Sequence, residues 1–126
     1  MSAEAKIRER LTSYFQALNE DDVDAAVASY TSDGVFMPST LPTSVGPELS
    51  TAYKQTFEAI HLNVSFAIDE LRLVGETDAY VLTQSHGTVR VNGTAEEHPE
   101  FNRELFILRV EDDEWKIARY MFNKSS

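Results

Sequence analysis

Residues 14–38 read YFQALNEDDVDAAVASYTSDGVFMP and contain the end of one predicted helix, a second helix and the start of a strand. Leu11, Tyr14 and Leu18 recur at intervals of three or four residues. Because residues at this spacing share one face of an α-helix, the pattern predicts an amphipathic helix with Tyr14 on its buried face. That helix is expected to end near Asn19.

A second helix and a short strand follow within the same stretch. Asp21 or Asp22 can cap the helix, since a short acidic side chain accepts hydrogen bonds from the free amides of a helix N-terminus. The apolar face of this helix is predicted to extend to Tyr30, until Asp33-Gly34 interrupts it. A strand from Val35 to Met37 is expected next.

A proline-rich loop separates this opening from a third predicted helix. Residues 38–47 contain three prolines and Gly46, a composition typical of loops. Pro47 and Glu48 suit the first turn of a helix. The third helix is expected to stop near His61, with four inward side chains: Leu49, Tyr53, Phe57 and Ile60.

Beyond the third helix the apolar residues alternate with a period of two, which is typical of strands. Up to Ile68 the large apolar residues of the first long strand have even numbers, and its leucines from Leu71 onward have odd numbers. This change predicts a β-bulge near Asp69-Glu70 that bends the strand. Asn92-Gly93 favours a two-residue hairpin. The later strands are predicted at Ala79–Val91, Phe101–Val110 and Trp115–Phe122, with an acidic turn at residues 111–114. Helices followed by antiparallel strands predict an α+β domain, with three N-terminal helices packed on one face of a curved antiparallel sheet.

Composition limits the classes of function. A length of 126 residues predicts one domain, spanning 1–126. The formal net charge of -10 disfavours nucleic acid and anionic membrane surfaces as partners. There is no cysteine, which excludes thiolate catalysis and cysteine-ligated metals. No apolar run is long enough to span a membrane and no signal-peptide core is evident, so a cytoplasmic location is expected.

The opening stretch and the ending NRELFILRVEDDEWKIARYMFNK, residues 102–124, resemble the nuclear transport factor 2-like superfamily. Within it, the chain is most similar to the small SnoaL-like proteins and to ketosteroid isomerase. This resemblance implies a cone-shaped α+β barrel. It also implies that Tyr14 matches the tyrosine that holds an oxyanion in the isomerase, whereas Pro38 stands where that enzyme has its aspartate base.

The resemblance further implies which residues line a pocket between the helices and the sheet. The segment AYVLTQSH, residues 79–86, is similar to a strand whose alternate members line the steroid pocket, and Glu104 matches a second oxyanion donor. Polar pocket residues are then expected to be Tyr14, Gln84, His86, Glu104 and Tyr120. The apolar wall is expected to consist of Phe36, Tyr53, Phe57, Leu82 and Ala118.

Three of these residues are candidate catalytic groups. Tyr14 could donate its hydroxyl to a ligand carbonyl, and Glu104 could act with it as an acid if burial raises its pKa. His86, with an ordinary pKa of about 6.5, could act as the base that Pro38 cannot be. Each also has a structural interpretation: Tyr14 and His86 as hydrogen-bonded core residues, and Glu104 as the partner of a nearby arginine.

Three functions are therefore compatible with the sequence. The first is a pocket protein that binds a small apolar molecule with a carbonyl group. The second is an acid-base enzyme, such as an isomerase, cyclase or hydratase, that uses His86 and Glu104 with Tyr14 as oxyanion donor. The third is a non-catalytic oligomerisation module, similar to the association domain of calmodulin-dependent kinase. No cofactor and no metal is expected.

The late strands also predict a partner. They carry apolar residues on both faces, with Leu105 and Ile107 on one and Phe106 and Leu108 on the other. Three short helices can cover only one face, and apolar surface contributes about 25 cal/mol per Å² when it leaves water. A second copy of the chain is therefore expected to cover the outer face of the sheet, forming a homodimer.

Overall fold

In the computed structural model, which describes residues 1–125, three helices pack on a single curved sheet of six strands. The helices are α1 (Ala3–Asn19), α2 (Val23–Ala28) and α3 (Glu48–Ala59). The strands are β1 (Tyr30–Met37), β2 (Ser44–Val45), β3 (Ile60–Val74), β4 (Asp78–Val91), β5 (Glu97–Glu111) and β6 (Glu114–Lys124). Their order across the sheet is β2-β1-β6-β5-β4-β3, and all pairs are antiparallel except β1 with β6. The predicted α+β class is confirmed, and the sheet is open rather than a closed barrel.

The first helix has the predicted end and the predicted buried face. Ser2 caps its N-terminus by accepting a hydrogen bond from the amide of Ala5. At the other end the Asn19 amide pairs with the backbone of Val64 on β3: its Nδ2 donates to the carbonyl at 2.9 Å, and its Oδ1 accepts from the N–H at 2.9 Å. This double hydrogen bond fixes the end of α1 against the sheet.

The second helix is shorter than its apolar spacing predicts. Asp22 caps it as expected, but the helix ends at Ala28, and Tyr30 begins β1. The reason is tertiary pairing, because the amide of Ile117 donates to the carbonyl of Ser29 and β1 then runs parallel to β6. A strand partner distant in sequence therefore overrides the local helical pattern.

The predicted bulge is confirmed, and it bends β3 as expected. The register of β3 against β4 shifts between Ile68 and Glu70. Before the shift Val64 faces the helices, and after it Leu71 does so because it pairs with the buried Val81. The bulge therefore keeps the apolar side chains on the inner face while the strand curves around the core.

The connection after β4 is longer than the two-residue hairpin that was predicted. Residues 92–96 form the loop, and the Asn92 side chain donates to the carbonyls of Phe57 and Glu58. Asn92 thus binds the carbonyls that are left free at the C-terminus of α3, instead of forming a tight turn. The acidic turn between β5 and β6 is the tight one, since Asp112 and Asp113 both have positive φ.

The core lies between the helices and the inner face of the sheet. Its fully buried members include Ile7 and Leu11 from α1, and Phe106 and Leu108 from β5. Aromatic rings fill the end of the core that is nearest β1 and β6. Among the described residues, no helix is both long enough and apolar enough to cross a membrane.

Candidate functional site

A cavity of about 290 Å³ opens between α1, α3, the loop after β1 and the inner face of the sheet. This volume is at the lower end of the range of about 300–1,000 Å³ that is usual for small-molecule sites. Most of the wall is apolar or aromatic, and β4 and β5 contribute four of its polar side chains. The lining residues that carry the argument below are Tyr14, Tyr53, Ser85, Glu100, Asn102 and Glu104.

Three tyrosine hydroxyls form a buried chain at the cavity wall. The Tyr53 oxygen lies 2.5 Å from that of Tyr14 and 2.5 Å from that of Tyr30. Burial raises the pKa of all three hydroxyls far above the ordinary tyrosine value, so each keeps its proton at neutral pH.

The direction of this chain determines what it presents to a ligand. Three hydroxyls supply three protons and the two internal hydrogen bonds use only two of them. Tyr14 and Tyr53 line the cavity, whereas Tyr30 lies behind them. If Tyr30 donates to Tyr53 and Tyr53 to Tyr14, the proton of Tyr14 is free to point into the cavity, and the two bonds behind it polarise its O–H group.

Glu104 is the more deeply buried of the two carboxyl groups that line the cavity. Its side chain accepts hydrogen bonds from the hydroxyls of Thr83 and Ser85, each at 2.5 Å, and the residue is only 4% exposed. Burial raises the pKa of this carboxyl, although the two hydroxyl donors partly offset the increase. Among the carboxyl groups that line the cavity, Glu104 is the one whose pKa is raised by burial.

The substitution Glu104→Gln is expected to remove a pH dependence of stability. Because the pKa of Glu104 is higher in the folded than in the unfolded chain, its stabilising contribution is complete below the ordinary value of 4.5. That contribution is lost as the pH rises through the folded-state pKa. The free energy of unfolding should then fall by about 1.4 kcal/mol per unit of pKa difference in the wild type, but not in Glu104→Gln.

Urea unfolding at a series of pH values would measure this difference. Glu58→Gln is the matched control, because Glu58 is exposed on α3 and the same change there should leave the wild-type pH dependence intact. An identical pH dependence in wild type and Glu104→Gln would contradict the expectation.

A polar row extends along β5 from Glu104 towards the C-terminal end of β6. Asn102 and Glu100 face the same side as Glu104, since alternate residues of a strand share a face. Asn102 Nδ2 donates to Glu100 Oε2 at 3.0 Å, and Lys124 Nζ contacts both Glu100 oxygens at 2.7 and 2.8 Å. Within residues 1–125, no group of three or more His, Asp or Glu side chains is arranged to hold a metal ion.

The structure corrects the predicted register of β4 by one residue. Leu82, Gln84 and His86 lie on the outer face of the sheet and do not line the cavity. Thr83 is paired directly with Glu104, and directly paired residues of antiparallel strands project to the same face. The inward residues of β4 must therefore be the odd-numbered ones, and Ser85 takes the place that was expected for His86.

The other predicted site residues divide into two groups. Tyr14, Phe36, Tyr53, Glu104 and Tyr120 line the cavity as expected. Phe57 and Ala118 are buried but do not reach it. Ala118 lies where the register of β5 against β6 shifts, so it follows a different alternation from the one assumed.

Sequence reasoning missed Tyr30, Ser85, Glu100 and Asn102. The alternation on β5 could have indicated Asn102 and Glu100, because both share the parity of Glu104. Nothing local could have indicated that the Tyr30 hydroxyl meets that of Tyr53, since the two residues belong to different elements. Pro38 does line the cavity, and it offers no proton-accepting group there.

Comparison with known proteins places this architecture among characterised folds. The sequence profile of the SnoaL-like domain matches residues 11–120. No curated protein matches the chain in sequence. The crystal structure of a ketosteroid isomerase-like protein from Erwinia carotovora atroseptica is 32% identical, with a TM-score of 0.93, covering 100% of this chain and 99% of that one.

Two more distant structures share the fold. An NTF-2 like protein of unknown function from Shewanella oneidensis is 18% identical with a TM-score of 0.75, covering 96% of this chain and 98% of its own. A proposed scytalone dehydratase from Novosphingobium aromaticivorans is 17% identical with a TM-score of 0.79, covering 98% of this chain and 84% of that one. At sequence identities this low, the structural similarity shows only that the fold is shared.

Proposed function

The chain belongs to the SnoaL-like domain family, and from that premise we propose that its cavity binds a small, mainly apolar molecule that carries a carbonyl group. The observation that supports this most directly is the hydroxyl chain, which ends at the cavity with Tyr14. When Tyr30 donates to Tyr53 and Tyr53 donates to Tyr14, the remaining proton is that of Tyr14, and it needs an acceptor because an unmatched buried donor costs about 1–3 kcal/mol. A ligand carbonyl supplies that acceptor without bringing a charge into the apolar wall.

The same geometry supports a second candidate, an acid-base enzyme. Glu104 faces the cavity with a raised pKa, as a proton-transfer group requires, and Tyr14 can stabilise the negative charge that develops on a carbonyl oxygen. His86 cannot act with them inside the same chain, because it lies on the opposite face of the sheet. The enzyme candidate therefore rests on Glu104 and Tyr14 alone.

Binding of 1-tetralone, a small bicyclic aromatic ketone, tests the first proposal. We expect calorimetric titration to detect binding to the wild type, and Tyr14→Phe to weaken it about tenfold, since one hydrogen bond contributes about 1.4 kcal/mol. Tyr80→Phe is the matched control because Tyr80 is on the outer face of β4. Absence of binding to the wild type, or equal losses in the two variants, would overturn the proposal.

The outer face of the sheet supports a proposed homodimer. One row of side chains crosses four strands in register: Met37, Met121, Leu105 and Leu82. Met121 is 45% exposed and Leu82 is 38% exposed. The cations that flank the row are already bonded within the chain, Arg103 to Asn123 and Arg119 to backbone carbonyls.

An uncharged row of this kind requires an apolar partner. A second copy presents the same row, and a two-fold axis would lay one row across the other, so that the surface is complementary to itself. Dimerisation would leave the cavity accessible, because the cavity opens on the opposite face of the sheet. It is therefore compatible with ligand binding, and also with the oligomerisation module that the sequence leaves open.

A further inference from the structure

One buried polar atom of the cavity has no partner. The side chain of Asn102 lines the cavity, and the residue is only 7% exposed. Its Oδ1 accepts no hydrogen bond from any of residues 1–125. An unmatched buried acceptor costs about 1–3 kcal/mol, so its presence in a cavity wall needs an explanation.

The neighbours of Asn102 determine which end of the amide is unmatched. Nδ2 donates to the Glu100 carboxylate at 3.0 Å and lies 3.4 Å from Ser85 Oγ. Exchanging the nitrogen and oxygen would place two acceptors, the amide oxygen and the carboxylate, against each other. Lys124 holds that carboxylate in place through two short contacts. The amide orientation is therefore fixed by the chain itself.

The two hydroxyls that are bonded to Glu104 cannot donate to Oδ1 without breaking those bonds. Ser85 is the nearest candidate, but its single proton is used in the 2.5 Å hydrogen bond to Glu104. Thr83 donates its proton to the other oxygen of the same carboxylate. The two hydroxyls that are closest to the polar row are thus both committed to Glu104.

We propose that Asn102 Oδ1 accepts a hydrogen bond from a hydroxyl group of the ligand, so that the cavity selects hydroxylated carbonyl compounds. This inference rests on the proposed function and adds the ligand's second polar group. An uncharged donor fits better than an ammonium group, because Lys124 already neutralises Glu100. The ligand would then have a carbonyl at Tyr14, a hydroxyl at Asn102 and an apolar body between them.

A comparison of matched ligands tests this inference. The probes are 1-tetralone and its 5-, 6- and 7-hydroxy derivatives, which differ only in the position of one phenolic hydroxyl. We expect at least one hydroxy derivative to bind the wild type about tenfold more tightly than 1-tetralone, the gain of one hydrogen bond. Asn102→Leu is similar in size and lacks the acceptor. In this variant the preference should disappear, so that the hydroxy derivatives and 1-tetralone bind with about equal affinity.

Gln84→Leu is the matched control, because it makes a similar change on the outer face of β4 and should retain the preference. If Asn102→Leu does not fold, the wild-type ratio together with Asn102→Ala supplies the same comparison. Equal binding of 1-tetralone and all three derivatives would overturn the inference and leave the proposed function standing. A preference that persists in both Asn102 variants would also overturn it. Absence of binding by every probe would overturn the proposed function and this inference together.

Discussion

Replacing Gly87 with alanine is expected to lower the free energy of unfolding by about 3 kcal/mol. This value is at the upper end of the usual destabilisation of about 1–3 kcal/mol that overpacking causes. A Cβ added at Gly87 would lie 2.0 Å from the carbonyl oxygen of Asn63 and 2.8 Å from Cα of Val64. Neither atom belongs to a flexible side chain. The backbones of β3 and β4 would therefore have to separate at this point.

The separation would spread to both the core and the cavity. Val64 is the residue that Asn19 holds by two hydrogen bonds, so a displaced β3 would also detach the end of α1. Val64 lines the cavity as well. We therefore expect Gly87→Ala to weaken binding of 1-tetralone in addition to lowering stability.

Chemical unfolding of Gly87→Ala beside Gly93→Ala would measure the steric effect. Gly93 has a φ of +88° but no atom within 4 Å of an added Cβ, so its substitution should cost only the backbone strain of about 1–2 kcal/mol. Equal losses at the two positions would show that backbone conformation, and not the close approach of β3, makes Gly87 necessary.

Local periodicity was sufficient to predict the parts of this fold that depend on neighbours in sequence. The helix that ends at Asn19 and the bulge at Asp69-Glu70 follow directly from the spacing of apolar residues. The α+β class follows from their order along the chain. Pairings between distant elements were not predictable in this way. The apolar spacing of α2 predicts a longer helix, but the parallel pairing of β1 with β6 ends it at Ala28.

The register of β4 shows why the site was only partly predictable. The inward residues of this strand were inferred from the resemblance to the isomerase strand, and an error of one residue in such a match turns every side chain to the other face. The structure places Thr83 and Ser85 inward because their hydroxyls bind the Glu104 carboxylate. The spacing of apolar residues cannot predict that two hydroxyl residues face inward to bind a buried acid. That arrangement can be recognised only once the pairing of β4 with β5 is known.

The double substitution Leu105→Glu and Met121→Glu is expected to convert the proposed dimer into a monomer. The two residues are directly paired in the middle of the apolar row, and a two-fold interface would bring four new carboxylates together. Burying an unpaired charge costs several kcal/mol per group, which exceeds what so small a row can offset. Met121 is already 45% exposed, so a carboxylate at this position stays in water in the separated chain.

Sedimentation equilibrium at micromolar concentration would show the mass falling from two chains to one. Val91→Glu is the matched control: Val91 is exposed to the same degree, at 46%, but pairs with Ile60 and lies away from the row. A monomeric wild type would contradict the proposed dimer outright. A double variant that stayed dimeric would place the interface elsewhere on the chain. Retained binding of 1-tetralone by the monomeric variant would separate the two roles of the sheet, with the inner face binding the ligand and the outer face binding the second copy.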